Sequence, residues 1–176
     1  MRGGESPSLR NWAAGPWADR SKTTEMELRV RYAETDQMRV AHHASYLVWF
    51  EAARTEFIRA RGRSYADVEK AGWLLMVVEA QCRYRRPARY DDVLVIRTRL
   101  RTLGRATLSF GYQVARRADG EVLADGYTVH AVVDRTGRAR RVPEEIAGAL
   151  RPFVSDAADG PGGAGSGARP GERHQT

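Results

Sequence analysis

The chain has 176 residues, a formal net charge of +7 and one cysteine, Cys82. A single cysteine excludes an intrachain disulfide and a metal site built from cysteines. All but two of the 29 basic residues are arginines spread along the chain, and no nucleic-acid-binding motif accompanies them, so we expect no nucleic-acid partner. Because the chain has neither a secretion-signal pattern nor an apolar run of membrane-spanning length, we expect no membrane span and a cytoplasmic location.

The two ends of the chain differ in composition from the middle. Residues 1–25 carry glycine, proline and scattered charges without a period, and residues 154–176 are rich in glycine, proline and alanine. Such segments bury too little apolar surface to offset the entropy of ordering them. We therefore predict a disordered N-terminal extension over 1–25, one folded domain over 26–153, and a disordered tail over 154–176.

The first half of the domain predicts a strand followed by a long helix. Apolar and polar residues alternate over 26–34, as they do in a half-buried strand. A loop then runs through Asp36–Ala41 into a helix over about 43–60, which is apolar on nearly every side. Such a helix must be enclosed by other structure. Its positive N-terminal end faces the loop that holds Asp36, which favours a catalytic site there.

The second half of the domain is predicted to form mainly strands. After a short helix over 65–71, the pattern predicts strands over 73–84, 92–103, 105–116 and 122–134, joined by hairpin links. Pro143 then opens a final helix over 144–150. A strand, a long helix and four antiparallel strands predict an α+β domain in which one curved antiparallel sheet wraps around one central helix.

One set of spaced residues resembles a known family. The set comprises Tyr32, Thr35-Asp36, His43-Ala44-Ser45-Tyr46, Trp49-Phe50-Glu51 and Arg54, and it continues in Arg86-Pro87-Ala88-Arg89-Tyr90-Asp91-Asp92. Together with the order of elements, it resembles the hotdog fold, specifically the 4-hydroxybenzoyl-CoA thioesterase and related acyl-CoA thioesterases. The resemblance covers about residues 26–150.

The resemblance implies a catalytic role for three residues. Asp36 stands at the position of the catalytic carboxylate, and Tyr32 and His43 match two residues that accompany it in a bacterial branch of the family. The backbone N–H of His43, at the start of the helix, would hold the thioester carbonyl oxygen. Asp36 would either attack the carbonyl carbon or deprotonate water, and the sequence leaves both routes open. No metal or cofactor is expected.

Three further residues are candidates for substrate binding. Tyr46 would form part of the pocket wall, and Arg105 could meet the phosphates of coenzyme A. Arg39 stands where relatives commonly have glycine; it could narrow the acyl pocket, contact a phosphate or point to solvent. On the helix, Glu51 and Arg54 are three residues apart, which suits an ion pair or a dimer contact.

The resemblance also implies partners and leaves alternatives. It implies an acyl-CoA substrate and a homodimer or homotetramer whose sheets join edge to edge, with active sites at the subunit boundary. The main alternative is a non-catalytic acyl-CoA-binding sensor or scaffold, which would need neither Asp36 nor His43. A hotdog dehydratase fits less well, because the match centres on the thioesterase acid. A nucleic-acid binder would need a concentrated basic patch.

Overall fold

The computed structural model of the chain describes residues 15–62, 70 and 72–155. Its main elements in chain order are β1 (Thr23–Arg29), α1 (Ser45–Arg59), β2 (Trp73–Tyr84), β3 (Val93–Leu103), β4 (Thr107–Arg116), β5 (Val122–Asp134) and α2 (Glu144–Leu150). The strands form one antiparallel sheet in the order β1-β3-β4-β5-β2. This arrangement confirms the predicted α+β class, with one sheet and one long helix.

The first strand differs from its predicted span. It begins at Thr23, before the predicted domain boundary, because its first residues pair with β3 in the register Thr23↔Arg99 although no apolar alternation marks them. It ends at Arg29, and Tyr32–Glu34 form a short 3₁₀ helix. Trp17, in the segment predicted to be disordered, is buried. The segment that carries Asp36 is therefore helical at its start and is not a strand end.

Strands β2 and β5 and helix α2 have the predicted bounds, while β4 begins two residues later than predicted. Hairpins link β3 to β4 and β4 to β5, but β2 pairs with β5 at the far edge of the sheet, so the link from β2 to β3 is not a hairpin. The predicted helix over 65–71 lies outside the described residues except for Lys70, as do residues 1–14 and 156–176 of the predicted disordered ends.

Helix α1 packs one face on the sheet. Its buried residues are Tyr46, Trp49, Phe50, Ala53, Arg54, Phe57 and Ile58. The opposite face is uncovered in the single chain, and Leu47 and Val48 are 42% and 58% exposed. The prediction that the whole circumference is enclosed is therefore wrong for one copy of the chain, because a single sheet covers only one side of a helix.

A buried polar chain crosses the interface between α1 and the sheet. Arg54 lies in the core, and its Nη1 is 3.1 Å from Nε2 of His130. The same Nε2 is 2.8 Å from Oγ1 of Thr128, which is 2.8 Å from the hydroxyl of Tyr112. Burial and the nearby charge of Arg54 lower the pKa of His130 to about 3, so its imidazole is neutral at pH 7. Arg54 is thus a core residue that fixes the helix on the sheet.

The depth of α1 against the sheet depends on a close approach at Gly126. The ring of Phe50 is fully buried and stacks on Tyr112, with ring centroids 4.3 Å apart. A Cβ atom on Gly126 would lie 2.9 Å from Cε2 of Phe50 and would overlap the carbonyl oxygen of Gln81. Only glycine leaves the space that Phe50 occupies.

We predict that Gly126→Ala lowers the free energy of unfolding by about 1–3 kcal/mol, because an extra methyl in a packed core forces backbone shifts. Gly148→Ala is the matched control. Gly148 lies in α2 with no neighbour within 4 Å of an added Cβ, so alanine there should stabilise the helix by roughly 0.5–1 kcal/mol. Urea unfolding of the three proteins measures both changes, and equal stability of Gly126→Ala and the wild type would contradict the close approach.

Candidate active site

A tight turn presents the carboxylate of Asp36. The backbone N–H of Asp36 donates to the carbonyl of Val40 at 3.0 Å, and the N–H of Arg39 donates to the carbonyl of Asp36 at 2.9 Å. The carboxylate Oδ1 accepts a hydrogen bond of 2.8 Å from the N–H of Met38. The turn is held against the rest of the domain by the N–H of Ala41, which donates to the carbonyl of Ala88 at 2.8 Å. The position of the Asp36 carboxylate is therefore fixed by backbone hydrogen bonds.

Asp36 lines a cavity of about 320 Å³ with two of the other predicted site residues, His43 and Tyr46. The turn, the start of α1 and the end of β2 form its walls. The complete lining is Asp36, Met38, Val40, Ala41, His43, Tyr46, Tyr84, Arg85, Arg86 and Pro87. The cavity thus combines one acid, apolar walls and two cations.

The residue before the N-cap of α1, His43, presents one unengaged hydrogen-bond donor at this cavity. Tyr84 donates from its hydroxyl to the carbonyl of His43 at 3.0 Å, and the N–H of Ala44 donates to Nδ1 of His42 at 3.2 Å. Among the residues that the structure describes, no acceptor is found for the backbone N–H of His43. His43 directly precedes Ala44, the N-cap of α1, so its unengaged N–H lies at the positive end of the helix and suits a developing negative charge.

Two tyrosines form the wall between the helix and β2. Tyr46 is buried, its hydroxyl accepts a hydrogen bond of 3.2 Å from the N–H of Ala88, and burial raises its pKa. The ring of Tyr84 meets that of Tyr46 edge-on at 5.1 Å, and burial raises the pKa of Tyr84 to about 12. Both phenols are therefore protonated at pH 7 and serve as rigid walls.

Arg85 and Arg86 bring positive charge to the cavity. Arg85 pairs with Asp125, and Nε of Arg86 lies 3.3 Å from a carboxylate oxygen of Glu121. Neither arginine is among the predicted site residues. The basic run from Arg83 to Arg89 was the available signal, but only the fold shows which of its members reach the cavity.

Tyr32 and Arg105 do not line the cavity of the single chain. Tyr32 is 79% exposed and meets the ring of Tyr90 edge-on at 5.8 Å. Arg105 lies in the turn between β3 and β4, next to the point where β4 pairs with Ala131. The cavity lies at the other end of β5, where Tyr84 pairs with Ala124, and at 3.3 Å per residue the two positions are roughly 23 Å apart.

Arg39 adopts a backbone conformation that favours glycine. Its φ is 60°, in the left-handed region, and it closes the turn that begins at Asp36. Arg39 therefore combines a backbone conformation typical of glycine with a long cationic side chain. The side chain of Arg39 is exposed and does not line the cavity.

The chemistry available in the cavity is that of an acid beside hydrogen-bond donors. In the described part of the chain, no three His, Cys, Asp or Glu side chains lie close enough together to share a metal ion.

None of the helices in the described residues combines the length and the apolarity that a membrane crossing needs.

Comparison with known proteins identifies the family. Residues 30–150 match the family described as the thioesterase-like superfamily. The chain belongs to this superfamily. It is 38% identical over 109 residues to the putative acyl-CoA thioesterase YneP of Bacillus subtilis. The aligned region covers 62% of this chain and 78% of YneP. It is also 30% identical over 120 residues to the acyl-CoA thioester hydrolase YbgC of Escherichia coli O157:H7, covering 68% and 89%.

The thioesterase superfamily match extends to solved structures. The crystal structure of TT1821 from Thermus thermophilus superposes with a TM-score of 0.70 at 43% identity and covers 74% of this chain and 97% of that one. These matches confirm the predicted family, the hotdog fold and the enzyme class.

We predict that Arg39→Gly raises the free energy of unfolding by about 1 kcal/mol, because a residue with a Cβ is strained at a φ of 60°. Gln37→Gly, in the same turn but without a positive φ, is the control and should lower stability because glycine loses more entropy on folding. The two changes are compared by urea unfolding. A loss of stability in Arg39→Gly would show that the arginine side chain makes contacts that outweigh the strain.

Proposed function

We propose that the protein hydrolyses acyl-CoA thioesters to a free carboxylic acid and coenzyme A. The observation that carries this proposal is the shared cavity, which is lined by Asp36 and by His43, the residue before the N-cap of α1. A thioester needs a nucleophile or a base and a stabiliser for the carbonyl oxygen, and this cavity offers both. The names of YneP and YbgC support the same substrate class.

In the proposed reaction the thioester carbonyl oxygen accepts a hydrogen bond from the N–H of His43. Along one route an oxygen of Asp36 attacks the carbonyl carbon, the C–S bond breaks, and the thiolate leaves with the bonding electron pair. Water then hydrolyses the mixed anhydride and restores the carboxylate. Along the other route Asp36 takes a proton from water while that water attacks the same carbon; the C–S bond then breaks, the thiolate leaves with the bonding electron pair, and Asp36 returns the proton to it. Both routes use the same donor, since each places negative charge on the carbonyl oxygen.

The two ends of the substrate would meet different parts of the cavity. Met38, Val40 and Ala41 offer apolar surface to the acyl group, and Tyr46 closes that wall. Arg85 and Arg86 offer positive charge to the phosphates of coenzyme A, although each already pairs with an acid. The roles predicted for Tyr32, Arg39 and Arg105 stay predictions. They require a cavity completed by a second subunit, because none of the three lines the cavity of one chain.

We propose a homodimer in which two copies pair along β2. This strand is an edge of the sheet, and Met76, Val77 and Val78 on it are about half exposed. An uncovered apolar edge is a site for pairing with another strand. Such pairing would place the cavity, which Tyr84 at the end of β2 lines, near the subunit boundary.

The alternative function is a non-catalytic acyl-CoA-binding sensor or scaffold. Such a binder needs the apolar walls and the cations but has no use for a carboxylate beside the thioester. A carboxylate so placed would repel the negative charge that coenzyme A carries. The position of Asp36 in the cavity therefore favours the enzyme.

We predict that Asp36→Asn lowers kcat by about 10²–10⁴-fold on every acyl-CoA that the wild type hydrolyses, because the amide neither attacks nor takes a proton. Thiol release from a panel of straight-chain and aromatic acyl-CoA thioesters measures the rates. Asp91→Asn is the control, since Asp91 pairs with Arg29 on the surface and does not line the cavity.

Equal rates for wild type and Asp36→Asn would exclude the proposed role of Asp36. Tight binding of an acyl-CoA without thiol release, by the wild type and the variant alike, would favour the sensor. Rates lost equally in Asp36→Asn and Asp91→Asn would point to a general effect on the protein.

A further inference from the structure

Glu34 makes a set of hydrogen bonds that no pattern in the sequence predicts. Its side chain is 11% exposed. Oε1 accepts a bond of 3.1 Å from the indole Nε1 of Trp49 and one of 2.9 Å from the guanidinium of Arg31. Oε2 accepts a bond of 2.7 Å from the backbone N–H of Arg31. Burial raises the pKa of Glu34, but the hydrogen bonds from Arg31 and Trp49 outweigh it and hold the pKa below its usual value, so the carboxylate is ionised at pH 7.

The backbone of Glu34 also bonds to the start of α1. Its carbonyl oxygen accepts a hydrogen bond of 2.7 Å from the N–H of His42 and one of 3.3 Å from the hydroxyl of Ser45. Residues 35–41, which include the turn that presents Asp36, lie between these bonded positions. Glu34 therefore holds both ends of the loop over 35–41. Its carbonyl bonds the far end through the N–H of His42, and its side chain attaches the near end to Trp49.

The bond to Trp49 connects this loop to the core. Trp49 is buried, and its ring lies against that of Tyr46 with centroids 4.6 Å apart. Tyr46 in turn lines the cavity. Because a packed core resists displacement, the indole gives the carboxylate of Glu34 a fixed reference point.

We propose that Glu34 is a positioning residue that sets the separation between the Asp36 carboxylate and the N–H of His43, and that it acts through Trp49. This inference rests on the proposed thioesterase function. Glu34 does not line the cavity and need not touch substrate. A displacement of about 1 Å at a catalytic group can cost up to 10²-fold in rate, so a loop anchor of this kind controls kcat.

The test compares Glu34→Gln, Trp49→Phe and the double variant. Gln has the size of Glu but brings an NH₂ group against the donors of Arg31 or Trp49, and Phe removes the indole N–H. Each single variant should lower kcat about tenfold and change KM less than threefold, because the anchor orders the reacting groups and leaves the binding walls in place. The double variant should lose no more than twofold beyond the less active single variant, since both changes act on the same link between Glu34 and Trp49.

Glu144→Gln is the matched control. Glu144 is an exposed acid on α2 that pairs with Arg151 at 3.0 Å and does not line the cavity. Its kcat should stay within twofold of the wild-type value. A role for Glu34 in stability alone would lower the unfolding midpoint and leave kcat of the folded enzyme unchanged.

A second readout does not depend on activity. Hydrogen exchange of the hydrogen-bonded amides in this loop should become at least tenfold faster in Glu34→Gln and Trp49→Phe and stay unchanged in Glu144→Gln. These amides are those of Asp36, Met38, Arg39, Ala41 and His42. Wild-type kcat in Glu34→Gln, or losses that multiply in the double variant, would overturn the proposal. If the wild type releases no thiol, the proposed function fails and the exchange rates alone decide the role of Glu34. If Glu34→Gln does not fold, Trp49→Phe decides it by the same two readouts.

Discussion

The structure depends on how closely helix α1 approaches the sheet. Phe50 stacks on Tyr112 and occupies the space that the missing side chain of Gly126 leaves. On the next turn of the helix, Arg54 contacts the buried neutral imidazole of His130. Together these contacts fix the depth and the direction of α1. The site follows from them, because the start of α1 is one wall of the cavity.

The loop that carries Asp36 is attached to this helix by hydrogen bonds. Glu34 ties the loop to Trp49 and to the helix start, while backbone hydrogen bonds between Asp36 and Val40 close the turn itself. The turn needs a residue with positive φ at its end, and Arg39 meets that need at the cost of strain. The N–H of His43 and the carboxylate of Asp36 thus belong to two segments that are held together by Glu34.

Local patterns in the sequence predict those elements whose bounds are set by interactions between neighbouring residues. Strands β2 and β5 and helix α2 have their predicted bounds, and the acid and the helix start were recognised as neighbours from their spacing. Contacts between distant residues could not be predicted in this way. Arg54 meets a partner 76 residues away, and the first residues of β1 form a strand because β3 pairs with them. Glu34 was missed because a charged residue at the end of a predicted strand carries no sign of an indole about one turn into the next helix.

The central claim is that Asp36 and the N–H of His43 act on the same thioester. A crystal structure with a non-hydrolysable acyl-CoA analogue, in which a ketone replaces the thioester, tests it most directly. We predict that the ketone oxygen lies about 2.7–3.1 Å from the backbone nitrogen of His43, with the Asp36 carboxylate beside the carbonyl carbon or separated from it by one water. An analogue whose carbonyl lies outside this cavity, or whose oxygen contacts other donors, would contradict the account.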